Sequence, residues 1–472
     1  MGGVMKLWAS LALAALLAQI GTGVTAETPA EPQERYRAQE IRPLPGGLDE
    51  VLTFNSNSPE LVLAPGILLS AFPPDGTASP EAHLNVPLGD RFDLFAHHIA
   101  KATLPEDNPD RLRTLYIGII VKNPGTEPVK IHILQGASYL SQPDAPFIQL
   151  PAIAPNPNST VYSGPGSRAM DMVLRGKRQE TLPATVEIPP GQHRMLLNLP
   201  IPIATLEPPI NGRSTFLRLR STGPVYVASL ADFATVNSAG EEQAPTLEHW
   251  RNLLMTGKLS SPRDRAPTPP DQPGGIIYGR VAGIARGSQW RGTLTDEPGG
   301  DRLTIPAPGQ HLSYGLSLLR GGRMGTGQNQ TAEMIARYPD TAYEAHGNYG
   351  IQYALKLPLH NPGDRPRTVH LSLETPIKFD AFPDGGHITG LRFFAPLPNR
   401  TFFRGTVRVR YTDSNGRPQT RYTHLVQMRG QSNGRLATFT LPSNGYQLAT
   451  VDFLYPPDAS PPQVLTLSTT DN

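Results

Sequence analysis

From Arg404 to Met428 the chain reads RGTVRVRYTDSNGRPQTRYTHLVQM, in which Val407, Val409 and Tyr411 alternate with Arg and Thr until Asn415-Gly416 interrupts them. A period of two sends alternate side chains to one face of a sheet, and Asn-Gly supplies the positive φ of a tight turn, so this stretch predicts a β-hairpin. Similar runs recur. RTLYIGIIVKNPGTEPVKIHIL predicts two strands about Asn123-Pro124-Gly125, and ATVEIPPGQHRMLLNLPI two more about residues 189–191. STFLRLRSTGPVYVASLADF predicts a pair about Gly223-Pro224, and LATFTLPSNGYQLATVDFLYP another pair. Short strands broken by Pro and Gly at this spacing predict β-sandwich packing.

A helical period replaces the alternation in two places. APTLEHWRNLLMTGKL sets Leu247, Trp250, Leu253 and Leu254 on one stripe, with Thr246 as N-cap and Gly257 as the stop. Residues 167–176, SRAMDMVLRG, predict a shorter helix of the same design.

One device is used twice. The tetrapeptide KNPG at Asn123 returns as HNPG at Asn361, 238 positions later, each after an apolar run and each followed by a proline, Pro128 or Pro366. Asn hydrogen-bonds the backbone, Pro fixes φ and Gly permits the left-handed conformation, which predicts a hairpin turn in each of two β-domains. Setting aside residues 104–113 aligns His98 with His346 upstream of the two copies.

Residues 260–275, SSPRDRAPTPPDQPGG, carry prolines too closely spaced for a helix or a central strand. The expected organisation is a signal peptide over residues 1–26, a flexible lead-in over 27–42, a β-sandwich-like domain over 43–259, a Pro-rich linker over 260–275 and a second β-sandwich-like domain over 276–472. The fold class is therefore mostly β, two sandwich-like domains joined by a linker, with one or two short helices. The leader rests on Lys6, the apolar segment from Leu7 to Ile20 and the small-residue pattern Val24-Thr25-Ala26. Its apolar run is shorter than the ~20 residues a spanning helix needs, so export with cleavage after Ala26 is expected, to the periplasm or beyond the cell, with no transmembrane segment afterwards.

Composition removes several classes of function. The chain has no Cys, which excludes disulfides, a thiol nucleophile and an iron–sulfur cluster. Its 42 Lys and Arg are scattered among 40 Asp and Glu, so no basic stripe offers itself to nucleic acid. No motif calls for a cofactor. His97 and His98, with His83 and Asp93, form the tightest histidine cluster, but neighbours on a strand point to opposite faces and no metal site is assigned. Residues 380–386, DAFPDGG, lack the acidic register of a calcium loop and are taken as a solvated turn.

The densest polar and aromatic cluster is RYPDTAYEAHGNYGIQY, residues 337–353. Tyr rings stack on sugar faces and amides and carboxylates bond hydroxyls, so Tyr338, Tyr343, Asn348 and Tyr349 are the candidate ligand-binding residues. Asp340, Glu344 and His346 are the candidates for catalysis if any occurs, because a glycosidase needs two carboxylates flanking the scissile bond.

VLTFNSNSPELV, RFDLFAHHIAKA, SYLSQPDAPFI, SPRDRAPTPP, RYPDTAYEAHGNYG and LYPPDASPPQVLTL together run through almost the whole mature chain. As a set they resemble an uncharacterised family of secreted proteins, a domain of unknown function, common in cyanobacteria. The resemblance implies an exported envelope protein and brings no active residues. The functional expectation is a non-catalytic protein that binds or organises envelope or extracellular material, polysaccharide in particular. An envelope glycan hydrolase using the carboxylates of residues 337–353 and a purely architectural envelope protein are the alternatives.

Overall fold

The computed structural model describes residues 30–380 and 389–471, and the leader, the start of the lead-in and all but Asp380 of the DAFPDGG turn lie outside the described residues. The fold is mostly β, with two α-helices, α1 (Pro165–Leu174) and α2 (Leu247–Thr256), among the described residues. None of the described helices is long and apolar enough to cross a membrane.

Two large apolar clusters each lie between two β-layers. In the first sandwich one layer has the strand order Thr185–Ile188, Val129–Leu140, Ile210–Phe233, Leu88–Lys101, Leu52–Ser56. In the second the order is Arg435–Leu441, Arg367–Glu374, Gln463–Asp471, His311–Leu316, Glu40–Arg42. Neighbours are antiparallel in both layers except the last pair, which is parallel in both. The facing layers repeat as well: Leu115–Lys122 pairs with His193–Ile201, and Gln352–His360 pairs with Tyr446–Leu454. The corresponding strands follow one another in the same order along the chain. One strand arrangement has thus been built twice.

The two Asn corners sit at equivalent places in this frame, and they are not hairpins. Leu115–Lys122 and Val129–Leu140 belong to opposite layers, as do Gln352–His360 and Arg367–Glu374. Each corner is an arch over the core. The alternation could not distinguish the two geometries, because Ile117, Ile119 and Val121 meet Ile131 and Ile133 across the core, with their apolar faces inward from either side. Asn123 is fully buried: its Nδ2 donates to the carbonyls of Glu127 (2.7 Å) and Ile188 (3.0 Å), and its Oδ1 accepts from Gly125 N (2.8 Å). Asn361, also fully buried, donates to Arg365 O (2.8 Å) and Pro442 O (2.8 Å) and accepts from Gly363 N (3.1 Å). Each amide therefore ties its own arch to the returning arch beside it, satisfying carbonyls that the crossing removes from any ladder. The upstream histidines do not share this equivalence: His98 lies in Leu88–Lys101, whose counterpart is His311–Leu316.

Three further expectations are corrected. The stretch about Gly223-Pro224 is one strand, Ile210–Phe233, which shifts register between Ser221 and Val225 and passes from one layer to the other. The described part of the lead-in is paired: Gln33–Ala38 lies against Gly390–Ala395, and Glu40–Arg42 forms the parallel edge of the second sandwich. Its polar composition reflects edge strands that stay largely exposed, not a flexible tail. The two cores also do not part at residues 260–275. Leu44 packs in the second core, while Ala282 and Ile284 pack in the first, where Ala282–Arg286 pairs with Leu52–Ser56.

Both helices form where predicted. The Thr246 hydroxyl caps α2 by accepting from His249 N, and the Trp250 ring lies over Gly118, where an added Cβ would fall 2.4 Å from the ring. Helix α1 sits between the sandwiches, with Met170, Val173 and Leu174 packed on Phe95, Phe216 and Leu454. It belongs to an insertion, residues 141–184, whose counterpart in the second sandwich is residues 375–434. The two insertions meet where Ile153–Pro155 pairs with Pro418–Met428. The Asn415-Gly416 hairpin of Thr401–Thr412 and Pro418–Met428 forms as expected.

Candidate functional site

Ala282–Arg286, Ala332–Arg337 and Glu344–Ala345 extend the first sandwich beyond its parallel edge. The Pro-rich segment folds back beside that extension, with Thr268 N donating to Ile277 O (2.8 Å) and Ile277 N to the Thr268 hydroxyl (2.9 Å). Between them opens a shallow surface cleft bordered by Tyr278, Arg320, Tyr343, Glu344 and His346 among others.

The cleft's groups are firmly held. Arg337 lies 3.6 Å over the Tyr343 ring, and Tyr278 and His346 pack with ring centroids 5.1 Å apart. Lys378 Nζ donates to the Tyr278 hydroxyl (3.0 Å). Arg320 is spent on the linker carbonyls, donating to Pro269 O (2.7 Å) and Thr268 O (3.1 Å). Asn329 Nδ2 donates to one oxygen of Glu344 (2.8 Å). His346 Nε2 donates to Gly279 O (2.7 Å), which fixes the tautomer and leaves Nδ1 as an acceptor. Burial pulls the His346 pKa down to about 4, against the opposing pull of that carbonyl, so the ring is neutral at physiological pH.

The other candidates lie elsewhere. Tyr338 is buried in the first core, its hydroxyl donating to Ala82 O (2.9 Å) and accepting from Ser70 N (3.0 Å). Asn348 is buried with φ 50, and its Nδ2 donates to Gln330 O (2.9 Å) and to the Tyr353 hydroxyl (3.1 Å). Neither can meet a ligand. Tyr349 is half-buried between the cores, stacked on Tyr455 and donating to Ala459 O (3.1 Å). Asp340 does not border the cleft; Arg263 holds it through two bonds of 2.7 and 2.8 Å. Residues 337–353 thus divide into structural ties and a smaller, half-buried set that borders the cleft, Tyr343, Glu344 and His346.

Tyr278 and Arg320 escaped the sequence reading because they lie far from residues 337–353 in the chain. The one available signal was Tyr278 as an aromatic directly after the Pro-rich segment. Among the described residues no group of three or more His, Asp or Glu side chains could hold a metal ion. His97 Nδ1 turns to the Ser214 hydroxyl (2.8 Å), His98 to Ser56 (3.0 Å) and Pro59 O (2.9 Å), and His83 to Ser70 (2.9 Å).

Residues 39–469 match the family model described as "Protein of unknown function (DUF3370)". No curated protein matches the chain.

Proposed function

We propose, on the premise that the chain belongs to the DUF3370 family, that it is an exported protein that binds envelope or extracellular polysaccharide without cleaving it. The observation that carries this reading is the make-up of the cleft: two tyrosine rings, a neutral histidine and a single carboxylate. Aromatic faces with nearby donors and acceptors suit sugar rings and their hydroxyls. Hydrolysis by the usual route needs two carboxylates across the scissile bond, and here Asp340 is committed to Arg263 while, among the described residues, Glu344 is the one carboxylate that borders the cleft. The export part of the reading rests on the Lys6 to Ala26 leader.

Affinity electrophoresis of the mature chain through gels containing envelope polysaccharide tests the proposal. Retardation should be lost in Tyr343→Ala, and it should hold between about pH 8 and pH 5, because His346 gains its proton only near 4. Equal mobility with and without polysaccharide would leave the architectural role in its place.

A further inference from the structure

At the end of the first sandwich remote from the Asn123 corner, the two layers part around a cavity of about 390 Å³ that opens to solvent. Its wall includes Arg213, which is 9% exposed. The register explains its position. Arg213, Thr215, Leu217 and Leu219 alternate on the inward face of Ile210–Phe233, and the last two are core residues. An arginine has therefore replaced the apolar side chain that the pattern calls for.

This guanidinium has no carboxylate within 4 Å among the described residues, although burial lowers its pKa to about 10 and Asp144 opposes that shift from across the cavity. Its Nε and Nη2 donate to Pro200 O (3.0 and 2.8 Å) and its Nη1 to the Ser138 hydroxyl (3.0 Å). An N–H remains on each terminal nitrogen. Gln179 and Asp144 share the wall, each half used: Gln179 Oε1 accepts from Ser138 N (2.8 Å), leaving its amide NH₂, and Asp144 Oδ2 accepts from Leu140 N (2.8 Å), leaving the other oxygen. Leu196 and Leu197 supply an apolar floor.

We propose that this cavity is a second binding site, for a sugar acid, with the ligand carboxylate on Arg213 and its hydroxyls shared between Asp144 and Gln179. A buried guanidinium with spare N–H groups favours a carboxylate by charge and by its planar fork. Asp144 favours hydroxyl donors and disfavours a bare dianion. The volume lies within the range of small-molecule sites, which is about 300–1,000 Å³. The inference does not depend on the Tyr343 cleft.

Isothermal titration of the full mature chain with glucuronate, glucose, acetate and a polyuronate tests it. Glucuronate should bind at least about tenfold more tightly than glucose, its neutral counterpart, and than acetate, which lacks hydroxyls. Arg213→Met should abolish that preference. Thr181→Trp, at the exposed rim of the cavity, should weaken glucuronate binding about tenfold without touching the inner face, so a folding defect of the first variant cannot decide the outcome. Polyuronate binding alongside glucuronate would mark a polymer ligand, and glucuronate alone a free sugar acid. Binding of glucuronate no tighter than of glucose or acetate, or binding that survives both substitutions, would overturn the proposal. Loss in the Arg213 and Thr181 variants with retention in Tyr343→Ala separates this site from the cleft.

Discussion

The two sandwiches share a strand order and an Asn corner, yet they end differently. Ile133 and Leu371 lie ten residues beyond their corner Asn and pair with Leu219 and Leu467. In that register Thr215 corresponds to Gln463, and Arg213 to Pro461, just outside the strand. The second sandwich is filled there: Gln463 is fully buried, bonded to the Tyr455 hydroxyl and to Ser460 O. In the first, the strand continues inward and carries Arg213 into a cavity. A repeated frame conserves the ties that close its arches, while its open ends are free to diverge, and divergence there is where a binding function can be added.

Breaking the shared part should have the largest effect, and the same effect in both halves. Asn123→Ala and Asn361→Ala each strand buried carbonyls, at about 1–3 kcal/mol per group. Each variant should lose about 4 kcal/mol in urea denaturation, and a difference of more than about 2 kcal/mol between them would undo the equivalence of the corners.

The arginines sharpen the contrast. Arg37 pairs with Glu374, which is 3% exposed in its side chain and also accepts from the Thr466 hydroxyl (2.8 Å). Arg37→Met would leave that carboxylate buried and unpaired, at about 3 kcal/mol. Arg213→Met removes bonds to Pro200 O and the Ser138 hydroxyl but also a buried charge with no carboxylate within 4 Å among the described residues. Because such a charge is expensive to keep, the two effects offset and the net cost should stay at about 1 kcal/mol. Comparable losses would mean that Arg213 is a structural tie.

A smaller effect is expected from the outer layers. Gly118 and Lys356 stand five residues before their corners, but Trp250 of α2 covers only Gly118. Gly118→Val should cost about 2 kcal/mol by forcing the ring aside, whereas Lys356→Val, on an exposed position, should stay within about 0.5 kcal/mol. Thermal melts of the two variants compare them directly.

Alternation and turn residues made the strands, the Asn415-Gly416 hairpin and both helices legible. They could not say which layer each strand joins: a hairpin and an arch place the same apolar residues inward, so the corner at Asn123 reads identically either way. Partners distant in the chain were also out of reach. The pairing of Glu40–Arg42 with His311–Leu316 gives edge strands a polar sequence that resembles a loose lead-in. The same limit applies to the site. Tyr343, Glu344 and His346 were visible as a dense cluster, but the burial of Tyr338 and Asn348 depends on Ser70, Ala82 and Gln330, which only folding brings near. Arg213 was readable in principle, as a charge at an inward position of an alternating strand.

The central claim, that this protein holds polysaccharide and does not cut it, is tested most directly by incubating the mature chain with envelope polysaccharide and measuring retained protein and new reducing ends in the same sample. Retention without reducing ends above the protein-free control is the predicted result. Reducing ends that rise with protein and vanish in Glu344→Gln, or no retention at all, would contradict it.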